Sequence, residues 1–268
     1  MWHVETDVFA LAVFLIMLIK EAGLRRERKK KQKSGFIKRD IQSDAFYFVL
    51  IFSIVSDVID IASSTAMNYA TNWWLYQILM TIYVVSMPLL AVVWVGYTYI
   101  LIHQEYSLDR QLKGISVMLI PYAIYTLAAL SNPFTGLFFK LSETIEYERG
   151  ILFMPVGVGS IMLYSAVGLF LVIFNWKKIK VRYNAILIMS FFVITAWFTC
   201  IQLIHHGWLI INASYAVIYI WCDITVEEQR RRELYQELQR KNEELEIVAK
   251  KSRVGSRCKI RISVQDES

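Results

Sequence analysis
The chain has 268 residues, 56% of them hydrophobic and 19% charged, and apolar runs near 20 residues recur along it, which excludes an ordinary soluble domain and implies an all-α integral membrane protein. The formal net charge of +6 does not point to nucleic acid, because the bases sit beside apolar segments and read as topology signals. Cys200, Cys222 and Cys258 lie far apart, without metal-type spacing, and imply no disulfide framework.

Trp2 to Ile19 forms a short apolar helix with Glu5 and Asp7 near its start and Lys20 after it. A secretory signal would carry its bases first, so this is an uncleaved first span with the N-terminus outside. Lys20 to Asp44 then holds ten Lys or Arg against four acids, which makes that loop cytoplasmic. Six more apolar segments follow, at about 45–66, 73–102, 114–131, 153–174, 184–204 and 207–222, so the expectation is a seven-helix transmembrane bundle. The loop charges alternate as this topology requires, with NWKKIKVRY inside and the uncharged MNYATN outside. Trp2, Trp73, Trp74, Trp176, Trp208 and Trp221 fall near span ends, as interfacial aromatics do.

In the second span Ser53, Ser56, Asp57, Asp60, Ser63 and Ser64 recur at helical spacing on one face, which must look into the bundle. At 1.5 Å per residue Asp57 lies roughly 18 Å from the start of the span. A charged carboxylate near mid-membrane costs about 2.5 to 3.5 kcal/mol on insertion scales, so something must offset it. Either Asp57 contacts an ion, proton or ligand, or it is a hydrogen-bonded packing residue; Asp60, nearer the outside, also suits simple hydration. Thr195, Thr199, Gln202 and His206 repeat the pattern in the sixth span, and Asn212, Tyr215, Tyr219 and Asp223 in the seventh. Polar stripes on three helices line one inner cavity or act as interhelical glue. The candidate donors to Asp57 are Thr195, Thr199, Gln202 and Tyr215. His205 and His206 read as interfacial rather than as metal ligands. No HExxH, GxSxG, P-loop or cysteine pair announces catalysis, and no metal or cofactor is expected.

The outside loop SNPFTGLFFKLSETIEYERG begins at a turn, Asn132 and Pro133, with a second reversal at Gly136. It is expected to expose Phe134, Leu137, Phe138 and Phe139. These dip into the outer leaflet, cap the bundle or close over a ligand, and membrane contact is the default.

Past the seventh span, Asp223 to Lys250 holds eight acids and six bases, with i,i+4 pairs such as Glu227 and Arg231 that support an exposed helix. Thr225 and Glu228 have the spacing of a capping box. Ile224, Leu234, Leu238, Leu245 and Val248 lie on an alternating 3,4 seam interrupted by Glu227, Arg231 and Lys241. This is a dimeric coiled-coil connector or a solvated helix with a narrow apolar stripe. The chain thus divides into a seven-helix transmembrane domain (1–222), a connector (223–252) and an irregular tail (253–268).

SNPFTGLFF, then EYERGILFMPVGVG, then a seventh span with an acidic link and a charged helix resemble the seven-helix N-terminal sensor region of Firmicutes membrane signalling proteins, over roughly residues 1 to 250. The resemblance implies an input module in the bacterial cytoplasmic membrane, leading to a histidine kinase or a GGDEF diguanylate cyclase domain, and it transfers no catalytic residue. The tail CKIRISVQDES departs from both. One permitted set of codons for it, read one base later, gives AKSEFLSRMSH, which resembles the segment before a kinase dimerisation helix, with the His of MSH as phosphoacceptor. The expectation is a chain frameshifted before its output domain, and not itself an enzyme. Its partners would be the lipid bilayer and a second copy, with a response regulator only where the kinase domain is present. The competing class is a small transporter or channel using Asp57 and Asp60, though no internal repeat is visible.

Overall fold
A computed structural model describes residues 4–33, 41–69, 72–142, 147–179, 182–204, 212, 214–221, 224, 231, 235–236 and 238–246. The elements are α1 (Glu5–Lys33), α2 (Ile41–Tyr69), α3 (Trp73–Ser86), α4 (Leu89–Ile102), α5 (Leu108–Leu130), a short α6 (Asn132–Thr135), strands β1 (Phe139–Leu141) and β2 (Tyr147–Arg149), a π-helical turn (Phe153–Val158), α7 (Gly159–Phe174), a 3-10 turn (Trp176–Lys178) and α8 (Arg182–Ile204). Helical residues recur at 214–221 and 238–246. The chain forms two compact units, Met1–Ile220 and Trp221–Ser268.

Among the described residues four stretches are long and apolar enough to cross a membrane, Asp44–Tyr69, Trp73–Ile102, Leu108–Leu130 and Phe153–Phe174. They correspond to four of the seven expected spans. In α1 the charges of Glu5, Asp7, Lys20 and Glu21 crowd the apolar stretch, and Ala185–Ile201 in α8 is apolar over a shorter length. Most of 207–211 and its flanks lies outside the described residues. The outward side chains of α5 fit a lipid-facing helix: Val117, Ile124 and Leu127 are 66, 64 and 70% exposed, which water would not reward.

The sequence pattern from 73 to 102 reads as a single span, yet it is built as two helices. Pro88 has no N–H to give the carbonyl four residues back and its ring crowds that carbonyl, so the helix breaks between Ser86 and Leu89. Broken backbone in an apolar interior requires substitute donors. Two tyrosines of α5 provide them: Tyr125 Oη donates to the Val84 carbonyl at 2.5 Å and Tyr122 Oη to the Val85 carbonyl at 3.2 Å.

α1 packs antiparallel on α2, with Arg25 on Asp44 at 2.9 Å. α2 packs in turn on α3 and α4, α4 on α5 and α7, and α7 along α8. The α7 and α8 backbones come close because Gly168 has no side chain; a Cβ there would collide with the Phe192 ring.

The 132–152 loop is a folded unit. Gly136 closes α6 with φ 61°, a left-handed conformation that favours glycine. The buried Asn132 accepts from the Phe138 and Phe139 amides through Oδ1, at 2.6 and 3.2 Å, and donates through Nδ2 to the Phe139 carbonyl at 3.1 Å. β1 and β2 then pair antiparallel, Lys140 opposite Glu148. The expected exposure of Phe138 and Phe139 is corrected: both are buried, in a cluster with Tyr76, Met80, Tyr83 and Tyr125. Asn132 satisfies the backbone groups of Phe138 and Phe139 within the loop, which frees those rings to cap the bundle. Phe134, beside Pro133 at the start of α6, does point outward and is 93% exposed.

Candidate functional site
The polar face of α2 turns inward. Ser53, Ser56, Asp57, Ser63 and Ser64 are all buried, and Asp60 is partly buried one turn from Asp57. Two residues from other elements join them. Asp7 of α1, which reads in the sequence as a charge flanking the first span, is fully buried. Asn212, just before the 214–221 helix, spends both hydrogens of its amide on carboxyls: Nδ2 lies 3.2 Å from Asp7 Oδ1 and 2.7 Å from Asp60 Oδ2. An amide nitrogen carries only two donors, so Asn212 has nothing left for a third acid. Both oxygens of the fully buried Asp57 lack a hydrogen-bond partner, as does Asp7 Oδ2.

Beside this cluster sits an aromatic hub centred on Tyr219. Its ring packs against Phe14 of α1, Phe46 of α2 and Trp94 of α4, with centroids 5.2, 6.0 and 5.5 Å away. Trp94 stacks on Phe191 of α8 at 4.2 Å, and Phe191 on Tyr215 at 5.0 Å. The hydrogen bonds have one consistent direction. Trp94 Nε1 can only donate and does so to Tyr219 Oη at 3.0 Å. Ser53 Oγ gives its hydrogen to the Val49 carbonyl at 2.9 Å, so in the 2.7 Å contact between Ser53 and Tyr219 the tyrosine donates.

The other expected donors to Asp57 are committed elsewhere. Thr195 donates to the Phe191 carbonyl and Thr199 to the Thr195 carbonyl, while Tyr215 pairs with Thr195. The Gln202 side chain and His205 and His206 lie outside the described residues. The three polar stripes therefore meet through one face of the last segment: Asn212 holds α1 and α2, Tyr215 meets α8, and Tyr219 meets α1, α2 and α4. Their i, i+3, i+7 spacing was legible in the sequence; Asp7 and Trp94 were not singled out. A tryptophan far from either end of its span was the available signal for Trp94, since interfacial tryptophans sit at the ends.

Among the described residues no three His, Cys, Asp or Glu come together closely enough to hold a metal ion between them. In the second unit Leu238 and Leu245 of the connector seam are 55 and 66% exposed, and Arg240 pairs loosely with Glu244 at 3.7 Å. Leu234, Val248 and the Thr225 and Glu228 cap lie outside the described residues. Compared with protein-family models, curated proteins and solved structures, the chain matches none.

Proposed function
We propose that this chain is the membrane-embedded input and signal-transfer module of a bacterial two-component histidine kinase system. In this reading seven spans cross the cytoplasmic membrane with the N-terminus outside, and the acidic cluster is the sensing site. The seventh span hands a rotation or shift to the charged helix after it, which pairs with a second copy through Leu234, Leu238, Leu245 and Val248. The observation that supports this is the single face of the last segment. Asn212 is bonded to two of the three acids, and Tyr219, seven residues on, is bonded to α2 and α4. A change at the acids is thereby also a change in how the segment nearest the connector in sequence is held.

Single cysteines at position 238, in a chain lacking native cysteines, test the proposal by cross-linking in membranes. The expected result is a cross-link whose yield changes in Asn212→Ala and Asp57→Asn. No cross-link in any variant removes the dimeric connector. A cross-link indifferent to both substitutions removes the sensing role. The acidic cluster also suits a small transporter, and steady cation flux through proteoliposomes containing the chain would favour that class instead.

A further inference from the structure
Among the described residues the acids inside the bundle have no positive partner. The groups that act electrostatically on Asp7, Asp57 and Asp60 among the described residues are one another, and Asn212 is the one hydrogen-bond donor acting on them. The phenols of Tyr83 on α3 and Tyr215 on the last segment feel the Asp60 charge. No described lysine, arginine or histidine takes part.

Several neighbouring hydroxyls are already committed. Ser53, Ser63, Thr195 and Thr199 each donate their single hydrogen to a backbone carbonyl, and Tyr219 donates to Ser53. What these groups retain is acceptor capacity on oxygen. Asp57 stands apart from the Asn212 bridge as a second observation: it is fully buried, it lies among the acids, and neither of its oxygens is bonded. A buried carboxylate without a donor is strongly unfavourable. Among the described residues no group donates to Asp57, and the groups that act on it electrostatically are two further acids, a setting that suits a cation.

The charge of that cation follows from the spacing. A divalent ion draws several carboxylates onto itself, whereas no three of the described acids converge to hold one metal. A monovalent ion is satisfied by one or two carboxyl oxygens with neutral oxygens completing its shell. We propose that Asp57, with Asp7, Asp60 and Asn212 around it, is a binding site for one small monovalent cation of the alkali type. As a stimulus, occupancy would be read out by Asn212, and that consequence rests on the input-module reading above; binding itself does not.

The test uses the purified full chain in lipid nanodiscs, with sodium, potassium or choline chloride at equal ionic strength, at mildly acidic and mildly alkaline pH. A ligand that binds only the folded state raises the unfolding temperature with its concentration. Sodium, potassium or both should raise it by several degrees over choline, and Asp57→Asn should abolish the rise. Radiolabelled sodium or potassium should bind the wild-type chain saturably, which keeps the question open to measurement if Asp57→Asn fails to fold; Asp7→Asn should weaken that binding several-fold. Equal midpoints in all three salts, or a rise that follows acidification alone and ignores the salt, would show that the acids hold protons and no metal cation, and would overturn the proposal. So would undiminished binding in Asp57→Asn. Loss of cation binding alongside a normal cross-linking response sinks this inference alone; binding without any cross-linking response sinks the input module and leaves the site.

Discussion
At the scale of single residues, the broken helix at Pro88 makes the sharpest demand. Tyr125 is buried and supplies the hydrogen that the Val84 carbonyl lost to proline. Tyr125→Phe keeps the ring against Phe138, with which it packs edge-on at 5.7 Å, and removes only the donor. The Val84 carbonyl then keeps only the long 3.4 Å bond from the Met87 amide, and the lost hydrogen bond is worth about 0.5–1.5 kcal/mol, so the variant should unfold at lower denaturant concentration in detergent. Tyr122→Phe should cost less, since that contact is longer and half-buried. At Tyr219 the same substitution leaves Trp94 Nε1 without its acceptor. Tyr219→Phe should shift the emission of Trp94, measured with the other tryptophans replaced; an unchanged spectrum would count against the bond. None of these three tyrosines' partners could be read from the chain, because each joins a residue 37 or more positions away, on a helix whose relative rotation is set by packing. The polar periodicity of α2 was legible, since helical spacing alone puts Ser53, Asp57 and Ser64 on one side. Asp7 was not, because an acid near a span end looks the same whether it is hydrated or buried.

At the scale of elements, the 132–152 loop and the α7–α8 contact carry separate predictions. Asn132 makes three hydrogen bonds that shape the loop, so Asn132→Ala should loosen it, and trypsin should then cut at Lys140 or Arg149 many times faster in the native protein. Tyr147 on β2 adds a pH test. Burial pushes its phenol up to about 12, partly opposed by Arg149. The folded loop thus holds this proton where the unfolded chain has begun to lose it, so stability is undiminished below pH ~10 and falls as pH rises toward the folded value. Tyr147→Phe should flatten that alkaline decline in protease resistance. Gly168→Val should force α7 from Phe192 and lower the unfolding temperature by several degrees, whereas Gly23→Val, where a side chain meets nothing within 4 Å, should be nearly silent. The turn residues Asn132, Pro133 and Gly136 announced a reversal in the sequence. That Phe138 and Phe139 face inward did not follow from it, because an aromatic pair beside a turn serves equally as an anchor in lipid or as a lid on a core.

At the scale of the whole molecule, apolar runs marked out most of the helices, although α1 continues to Lys33 through the basic stretch expected as a loop, and four of the expected spans meet the length and composition of a membrane crossing. The split of 73–102 was hidden because hydropathy is blind to Pro88, whose effect is on backbone bonding. What joins the helices is a segment that composition renders ordinary, IINASYAVIYIWC, in which three polar side chains meet four helices. Asn212→Leu should therefore have wider effects than a surface substitution. It leaves Asp7 and Asp60 without their shared donor, and a buried acceptor left unsatisfied costs about 1–3 kcal/mol. Accelerated proteolysis in membranes should report the loss.

The row of hydrogen bonds from Trp94 through Tyr219 and Ser53 to the Val49 carbonyl also decides what cannot move through the molecule. Proton hopping along hydroxyls requires every link to reverse, so that each oxygen receives one hydrogen as it releases another. An indole at the head of the row has no lone pair to receive one, and a peptide carbonyl at the foot has no hydrogen to release. The row is an insulator with a fixed polarity. If Asp57 binds a cation as proposed, a proton exchanged there does not pass along this row.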